Sequence, residues 1–150
     1  MISHRGGCSC GAVRFAISRY DYVLACHCNA CKKRTGGAYG VSVRTGTASV
    51  TEFKGTTKTY VRVAESGRPV HYEFCPECGT TIRWRVESMP GSIVFAGGAF
   101  DDTSKFKVAG EMYTDSALPW ARLGCELTRP GEPDDTFRKG LVAITRQSKA

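Results

Sequence analysis

Between Ala12 and Ile17 the apolar residues Val13, Phe15 and Ile17 alternate with Ala12, Arg14 and Ala16, and a period of two predicts a half-buried strand. Tyr39, Val41 and Val43 repeat the pattern, as do Tyr60 and Arg62 against Val61 and Val63, and Ile82, Trp84 and Val86 against Arg83 and Arg85. Ser92 to Ala96 is a short apolar run between Gly91 and Gly97, which predicts a strand buried on both faces. Seventeen glycines and repeated Thr-Gly, Ser-Gly and Pro-Gly steps separate these segments and leave little room for helices of ordinary length. The predicted fold is mainly β. One helix is expected over Asn29 to Thr35, with Asn29 as its cap, Cys31 in its first turn and Gly36-Gly37 at its end. Beyond about Arg129 the chain turns polar, and Pro130, Gly131, Pro133, Asp134 and Asp135 predict an exposed tail with room for one terminal strand or helix. No internal repeat is visible, so residues 1–128 are expected to form one domain and residues 129–150 a polar C-terminal extension of it.

Composition narrows the class. At 150 residues and 41% hydrophobic content the chain can bury a core without staples. No stretch reaches the roughly 18 apolar residues of a membrane span, and Met1-Ile2-Ser3-His4-Arg5-Gly6-Gly7 lacks the apolar run of a signal peptide. A cytoplasmic protein with no membrane partner is expected. A reducing compartment keeps thiols free, so eight cysteines in close groups favour metal over disulfides. The formal charge of +7 would fall to about +4 with seven thiolates and two Zn²⁺ bound. The mildly basic surface that remains suits small anionic ligands or nucleic acid, but no groove-reading motif accompanies it.

The cysteines fall as Cys8-x-Cys10, Cys26-x-Cys28-x2-Cys31 and Cys75-x2-Cys78, with Cys125 alone. Zinc takes four ligands in a tetrahedron with sulfur at about 2.3 Å, and two cysteines two residues apart in a tight turn grip one edge of it. Cys75-Pro76-Glu77-Cys78-Gly79 has that form, with Gly79 placed where a left-handed backbone is needed. A redox pair of the thioredoxin kind would instead open a helix after a strand, whereas Thr80 to Val86 reads on as strand. Cys8 and Cys10, one residue apart on an extended chain, are poor disulfide partners and are easily explained by a shared metal. Seven ligands cannot fill two four-coordinate sites. Cys26, Cys28 and Cys31 are close enough in sequence to chelate one ion, which leaves the remote pairs Cys8/Cys10 and Cys75/Cys78 to form a closed four-thiolate site. Closed four-cysteine sites are structural, and three protein ligands with a vacancy are the arrangement of catalytic zinc. His4, His27 or His71 remains open as a fourth ligand, with His27 expected to project away from a metal shared by its two neighbours. Cys125 is expected to be a buried free thiol.

Gly7-Cys8-x-Cys10-Gly11-x-Val13, Cys26-His27-Cys28-x2-Cys31 and Cys75-x2-Cys78-Gly79 together resemble the glutathione-dependent formaldehyde-activating enzyme family, which also includes relatives of centromere protein V. The resemblance runs from about Ser3 to Trp120 and takes in Lys32-Lys33-Arg34 and Leu118-Pro119-Trp120. It implies a β-tent fold of antiparallel sheets, a structural zinc on Cys8, Cys10, Cys75 and Cys78, and a second zinc on Cys26, Cys28 and Cys31. The implied reaction joins glutathione and formaldehyde as S-(hydroxymethyl)glutathione, the reverse of a carbon–sulfur lyase.

Three thiolates on Zn²⁺ carry a formal charge of −1, a poor Lewis acid for water but a soft site for an incoming thiol. A thiolate held there is the nucleophile an aldehyde needs. Lys32, Lys33 and Arg34 follow Cys31 directly and are the candidate cations for the carboxylates of glutathione, although each could equally be a solvated helix residue. Trp84, Phe100 and Trp120 read as core aromatics, and Asp101 and Asp102 as loop carboxylates. The alternative to a thiol–aldehyde enzyme is a non-enzymatic zinc module whose basic surface meets nucleic acid or an acidic protein.

Overall fold

The structure is a computed structural model that describes residues 3–149. In chain order its elements are β1 (His4–Gly7), β2 (Arg14–Ile17), β3 (Tyr22–Cys26), α1 (Asn29–Thr35), β4 (Gly40–Gly46), β5 (Val50–Lys54) and β6 (Lys58–Val63). They continue with β7 (Pro69–Phe74), β8 (Thr81–Val86), β9 (Ser92–Ala96), β10 (Val108–Met112), β11 (Leu127–Arg129) and α2 (Asp135–Lys149). The strands fall into two sheets, and the chain is mainly β as the alternation predicts. Two compact units form: the chain up to Tyr20 with Arg44–Ser104, and Asp21–Val43 with the chain from Lys105. No helix among the described residues is long and apolar enough to cross a membrane.

In the first unit β1, β2 and β5 form an antiparallel sheet, and β6 to β9 form an antiparallel meander. Val13, Phe15 and Ile17 are buried as predicted, but so is Ala16, because both faces of β2 are covered. Phe15 meets Phe95 at 4.4 Å and the edge of Phe100 at 5.0 Å between ring centroids, the offset geometries aromatic quadrupoles favour. Ile82 and Trp84 are buried, Arg85 is exposed, and Arg83 is half-buried with its guanidinium over the Phe53 ring. Arg83 meets Glu73, its directly opposed neighbour on β7, in a two-pronged contact of 2.6 and 3.0 Å. The apolar residues of β6 do not reach the core: Tyr60, Val61 and Val63 are exposed because β6 is the last strand of its sheet and pairs only with β7.

The second unit departs from the expectations in three ways. The sheets are not antiparallel throughout, since β10 pairs parallel with both β3 and β11. Parallel neighbours need a long crossover, which the chain supplies between Cys26 and Val108 and again between Met112 and Leu127. The polar tail is not simply exposed, nor are ordinary helices absent: α2 runs for 15 residues and buries Phe137, Leu141 and Thr145, one helical turn apart. Asp134 caps it, accepting the Phe137 N–H at 2.8 Å. Phe137 and Leu141 pack on Tyr22, Leu24 and Ala109. Gly110 leaves the room, since a Cβ there would lie 2.6 Å from Leu141 Cδ2. Finally, Asn29 is not the cap of α1: Cys28 is, and its sulfur accepts the Cys31 N–H.

Replacing Leu141 with Ala should remove about 2–5 kcal/mol of stability, read as a lower thermal midpoint. Burial pushes the Glu73 carboxyl up, but the hydrogen bonds and charge of Arg83, with Thr57 and Arg85, outweigh it and hold the group below its ordinary value. A depressed carboxylate stabilises the fold above its unfolded pKa and stops doing so as pH falls through the folded one. Glu73→Gln should therefore cost about 1–3 kcal/mol at neutral pH, and denaturation curves of variant and parent should converge as the pH is taken below about 4.

Candidate functional site

Seven of the cysteines assemble into two groups, Cys8/Cys10/Cys75/Cys78 in the first unit and Cys26/Cys28/Cys31 in the second, with the sulfurs of each within 4.8 Å of one another. This is the division the spacing predicts. No histidine joins either group among the described residues. His4 packs its ring edge-on to Tyr20, and His71 is exposed on β7.

The four-cysteine group is built by two turns. Cys8 and Cys10 follow β1, while Cys75 and Cys78 lie in the turn from β7 to β8. Gly79 N–H donates to the Cys75 carbonyl at 2.9 Å, and Gly79 has the left-handed φ of 75° that its place after Cys78 predicts. Sulfurs of Cys8 and Cys10 are 3.5 Å apart, and those of Cys10 and Cys75 3.8 Å. Thr80 joins the turns: its Oγ1 lies 3.2 Å from Cys78 Sγ and accepts the Ser9 N–H at 3.2 Å. Hydrogen bonds from Thr80 hydroxyl and N–H, and from Cys10 N–H, bring the Cys78 thiol down to about 5. Burial raises Cys8, but the Val13 N–H and neighbouring thiols bring it below its ordinary value. Cys10 shows the cost of adding more charge: the Ala12 N–H favours its thiolate, yet Cys8, burial and the other sulfurs push it up to about 12. The group cannot become fully anionic without a cation in its midst.

The three-cysteine group comes from one short segment. Cys26 ends β3, Cys28 caps α1, and Cys31 sits in the first turn, where its N–H donates to Cys28 Sγ at 3.3 Å. All three are buried, with Ala30, Met112 and Tyr113 packed against them. Tyr113 takes a left-handed φ of 55°, the one positive φ at a non-glycine residue among those described and a sparsely populated conformation. Cys26 is pushed far up, first by its hydrogen bonds with Cys28 and Cys31 and then by burial. Cys31 is raised too: its hydrogen bond with Cys26 favours the thiolate, but Cys28 and burial outweigh that and the favourable charge of Arg34. Buried thiols in mutual contact are a donor set for a soft cation and fit zinc.

A family model described as glutathione-dependent formaldehyde-activating enzyme matches residues 3–116, which contain all seven clustered cysteines. The chain belongs to that family. A Halomonas elongata protein provisionally named as a glutathione-dependent formaldehyde-activating enzyme is 32% identical over 83 residues, 51% of this chain and 52% of that protein. The chain thus spans about half the length of this curated relative. A crystal structure of a Rhodobacter sphaeroides protein shares the fold at 17% identity, with a TM-score of 0.53 over 83% of this chain and 98% of that one.

Around the family's cysteines, the flanking residues sort differently from expectation. Of the three candidate cations, Lys32 is engaged, its Nζ donating to the Ser116 carbonyl at 2.6 Å. Lys33 is exposed. Arg34 lies beside Cys31: a Cβ at Gly40 would come within 2.8 Å of Arg34 Nη2 and 3.3 Å of Cys31 Cβ. Trp84 and Phe100 are core residues, but Trp120 is 79% exposed, in a short turn at Pro119–Ala121 beyond the matched residues. Asp101 pairs with Arg14, and Asp102 accepts from Ser104. Cys125 is half-buried rather than buried, its thiol held up by burial and by the charge of Glu111.

Sequence reasoning passed over Glu111. It is fully buried on β10 and accepts His27 Nε2–H at 2.8 Å, the Leu123 N–H at 2.9 Å and the Cys125 N–H at 3.2 Å. A lone acidic residue inside the otherwise apolar Val108–Met112 strand was the available signal. His27 joins neither group of sulfurs, and its ring meets Glu111. Lys32→Ala should free the loop that Ser116 belongs to: amide exchange at Ser116 and Ala117, followed by mass spectrometry, should quicken about tenfold for the loss of one charge-assisted hydrogen bond.

Proposed function

We propose that the chain is a zinc-dependent thiol–aldehyde enzyme of the S-(hydroxymethyl)glutathione synthase type, a carbon–sulfur lyase when run in reverse. The observation that carries this reading is the pair of unequal cysteine groups: four clustered sulfurs, the number a tetrahedral zinc takes, and three, one short of that number. In it Cys8, Cys10, Cys75 and Cys78 hold a structural zinc within a β-tent fold, and Cys26, Cys28 and Cys31 hold a second, catalytic zinc. The family's description supplies the substrate classes, glutathione and formaldehyde. Free cysteines throughout the described chain suit the reducing cytoplasm, where we place the reaction.

Zinc bound at the three cysteines would supply a soft acceptor that favours the thiolate of an incoming thiol at neutral pH. The chain's own residues do the rest. Burial of Cys26, Cys28 and Cys31 keeps bulk water from the donors, and Arg34 offsets the negative charge at Cys31. The exposed Lys33 and the Arg34 beside Cys31 are proposed to meet the carboxylates of glutathione, and Lys32 is tied to Ser116. In the reaction the thiol sulfur forms a bond to the aldehyde carbon, the carbonyl π bond opens onto oxygen, and that oxygen takes the proton the thiol gives up. Hydrolysis is disfavoured, because a three-thiolate site of net charge −1 acidifies water poorly.

Metal analysis of protein reloaded with zinc should find two ions per chain, the one at the three cysteines the more labile, and fewer than one tightly held ion would sink the metal reading. Millimolar glutathione added to cobalt-substituted protein should change the visible spectrum; an unchanged spectrum would argue against thiol entry. Cys78→Ser should lose the folded state with its metal, whereas Cys28→Ser should keep the fold and lose one ion. Gly40→Ala, which crowds Arg34 and Cys31, should slow adduct formation at least tenfold while leaving the metal of the four-cysteine site in place.

A further inference from the structure

His27 lies between two of the three clustered cysteines, yet its ring belongs to neither group. It is fully buried, and its main chain and side chain are both fastened to neighbouring residues of β10. The His27 N–H donates to the Met112 carbonyl at 3.0 Å, and Nε2 meets Glu111 Oε1 at 2.8 Å. Nδ1 has no hydrogen-bond partner among the described residues, so Glu111 holds the ring by its hydrogen bond while the Tyr39 ring packs at 5.4 Å from it. The direction of that hydrogen bond follows from what else the carboxylate does. It accepts two main-chain N–H groups, from Leu123 and Cys125, and stands 3.4 Å from Arg122 Nε. Burial alone would raise this carboxyl, but Leu123 N–H, His27, Cys125 N–H and the charge of Arg122 bring it below its ordinary value. A carboxylate that already accepts two main-chain N–H groups takes the accepting part in its contact with Nε2.

We propose that Glu111 is a positioning residue for the three-cysteine site, acting through His27 to fix the backbone that presents Cys26 and Cys28. The same carboxylate pins the Leu123–Cys125 end of the loop that starts at Tyr113, and Lys32 pins that loop at Ser116. Cys26 ends β3 opposite Met112 of β10, and Cys28 caps α1, so His27 is held from β10 at the point where strand gives way to helix. Residues that orient a metal's ligands without touching the metal commonly change its affinity by about 10–100-fold when replaced.

This inference rests on the proposed metal at Cys26, Cys28 and Cys31. The test is metal release to a chromogenic chelator from fully loaded protein, with the cobalt spectrum of the three-cysteine site as a second readout. In the parent protein two ions should leave at distinct rates; a single, four-cysteine ion would overturn the reading of the site and the proposal with it. Glu111→Gln, which keeps the volume and removes the charge, should speed release from the three-cysteine site about 10–100-fold, alter its cobalt spectrum and leave the four-cysteine ion unchanged. His27→Phe leaves the loop N–H groups their acceptor and should reproduce the faster release, so a Glu111 variant that fails to fold does not end the test. Leu141→Ala loosens the same unit by another route and should lower the thermal midpoint without altering release. Release at the parent rate in both the Glu111 and His27 variants would overturn the proposal, as would equally fast release from Leu141→Ala.

Discussion

Thiols that crowd within 4.8 Å of one another cannot all ionise unless a cation stands among them. The rest of this molecule is organised around that constraint. In the exposed half of the four-cysteine group the protein goes some way toward meeting it, with Thr80 and main-chain N–H groups favouring charge on Cys78. In the buried three-cysteine group it does not. There the hydrogen bond with Cys26 and the charge of Arg34 favour the Cys31 thiolate, but Cys28 and burial raise both Cys26 and Cys31. The two groups thus differ in kind as well as in number: hydrogen bonds favour the thiolate at Cys8 and Cys78 of one, whereas the other is buried against Ala30, Met112 and Tyr113.

What was legible in the sequence was whatever local spacing determines. The Cys26/Cys28/Cys31 group, the limits of the helix at Asn29–Thr35, the buried strand at Ser92–Ala96 and the left-handed Gly79 all depend on residues within a few positions of one another, and the pairing of Cys8/Cys10 with the distant Cys75/Cys78 followed from the count of ligands left over. Glu111 was not legible, because its meaning comes from His27, 84 positions away, and a strand pattern records burial without naming the partner. Nor was the environment of β6, whose alternation matches that of the core strands although no layer covers it. The terminal segment was legible in outline, as room for one strand or helix; the structure has the helix, and the burial of Phe137 and Leu141 was what the prolines, glycine and acidic residues before them obscured. The Lys32-Lys33-Arg34 run shows the same limit at a finer scale. Adjacency to Cys31 suggested three equivalent cations, and the fold gives them three different environments.

The division of labour around the three-cysteine recess follows from topology. A parallel strand pair sets residues on one strand beside residues far away in the chain, and here Cys26 stands opposite Met112 with Ala25 opposite Glu111. That register puts an anion next to the one residue, His27, that separates two sulfurs without joining them. It also explains why Trp120 can be so exposed: the loop that carries it is fastened by its main chain, through Leu123, Cys125 and Ser116, and has no need of the indole for anchorage.

The four-cysteine turns have a consequence for the unfolded chain. Cys10 and Cys75 are 65 positions apart, so an ion shared between them closes a loop of that length. By the relation used for covalent cross-links, such a closure removes roughly 4 kcal/mol of freedom from the disordered ensemble. The three-cysteine segment encloses almost no chain and gains nothing of this sort. Loading the first group would therefore act as a topological clasp that restrains the denatured polypeptide, while loading the second would leave its entropy almost untouched.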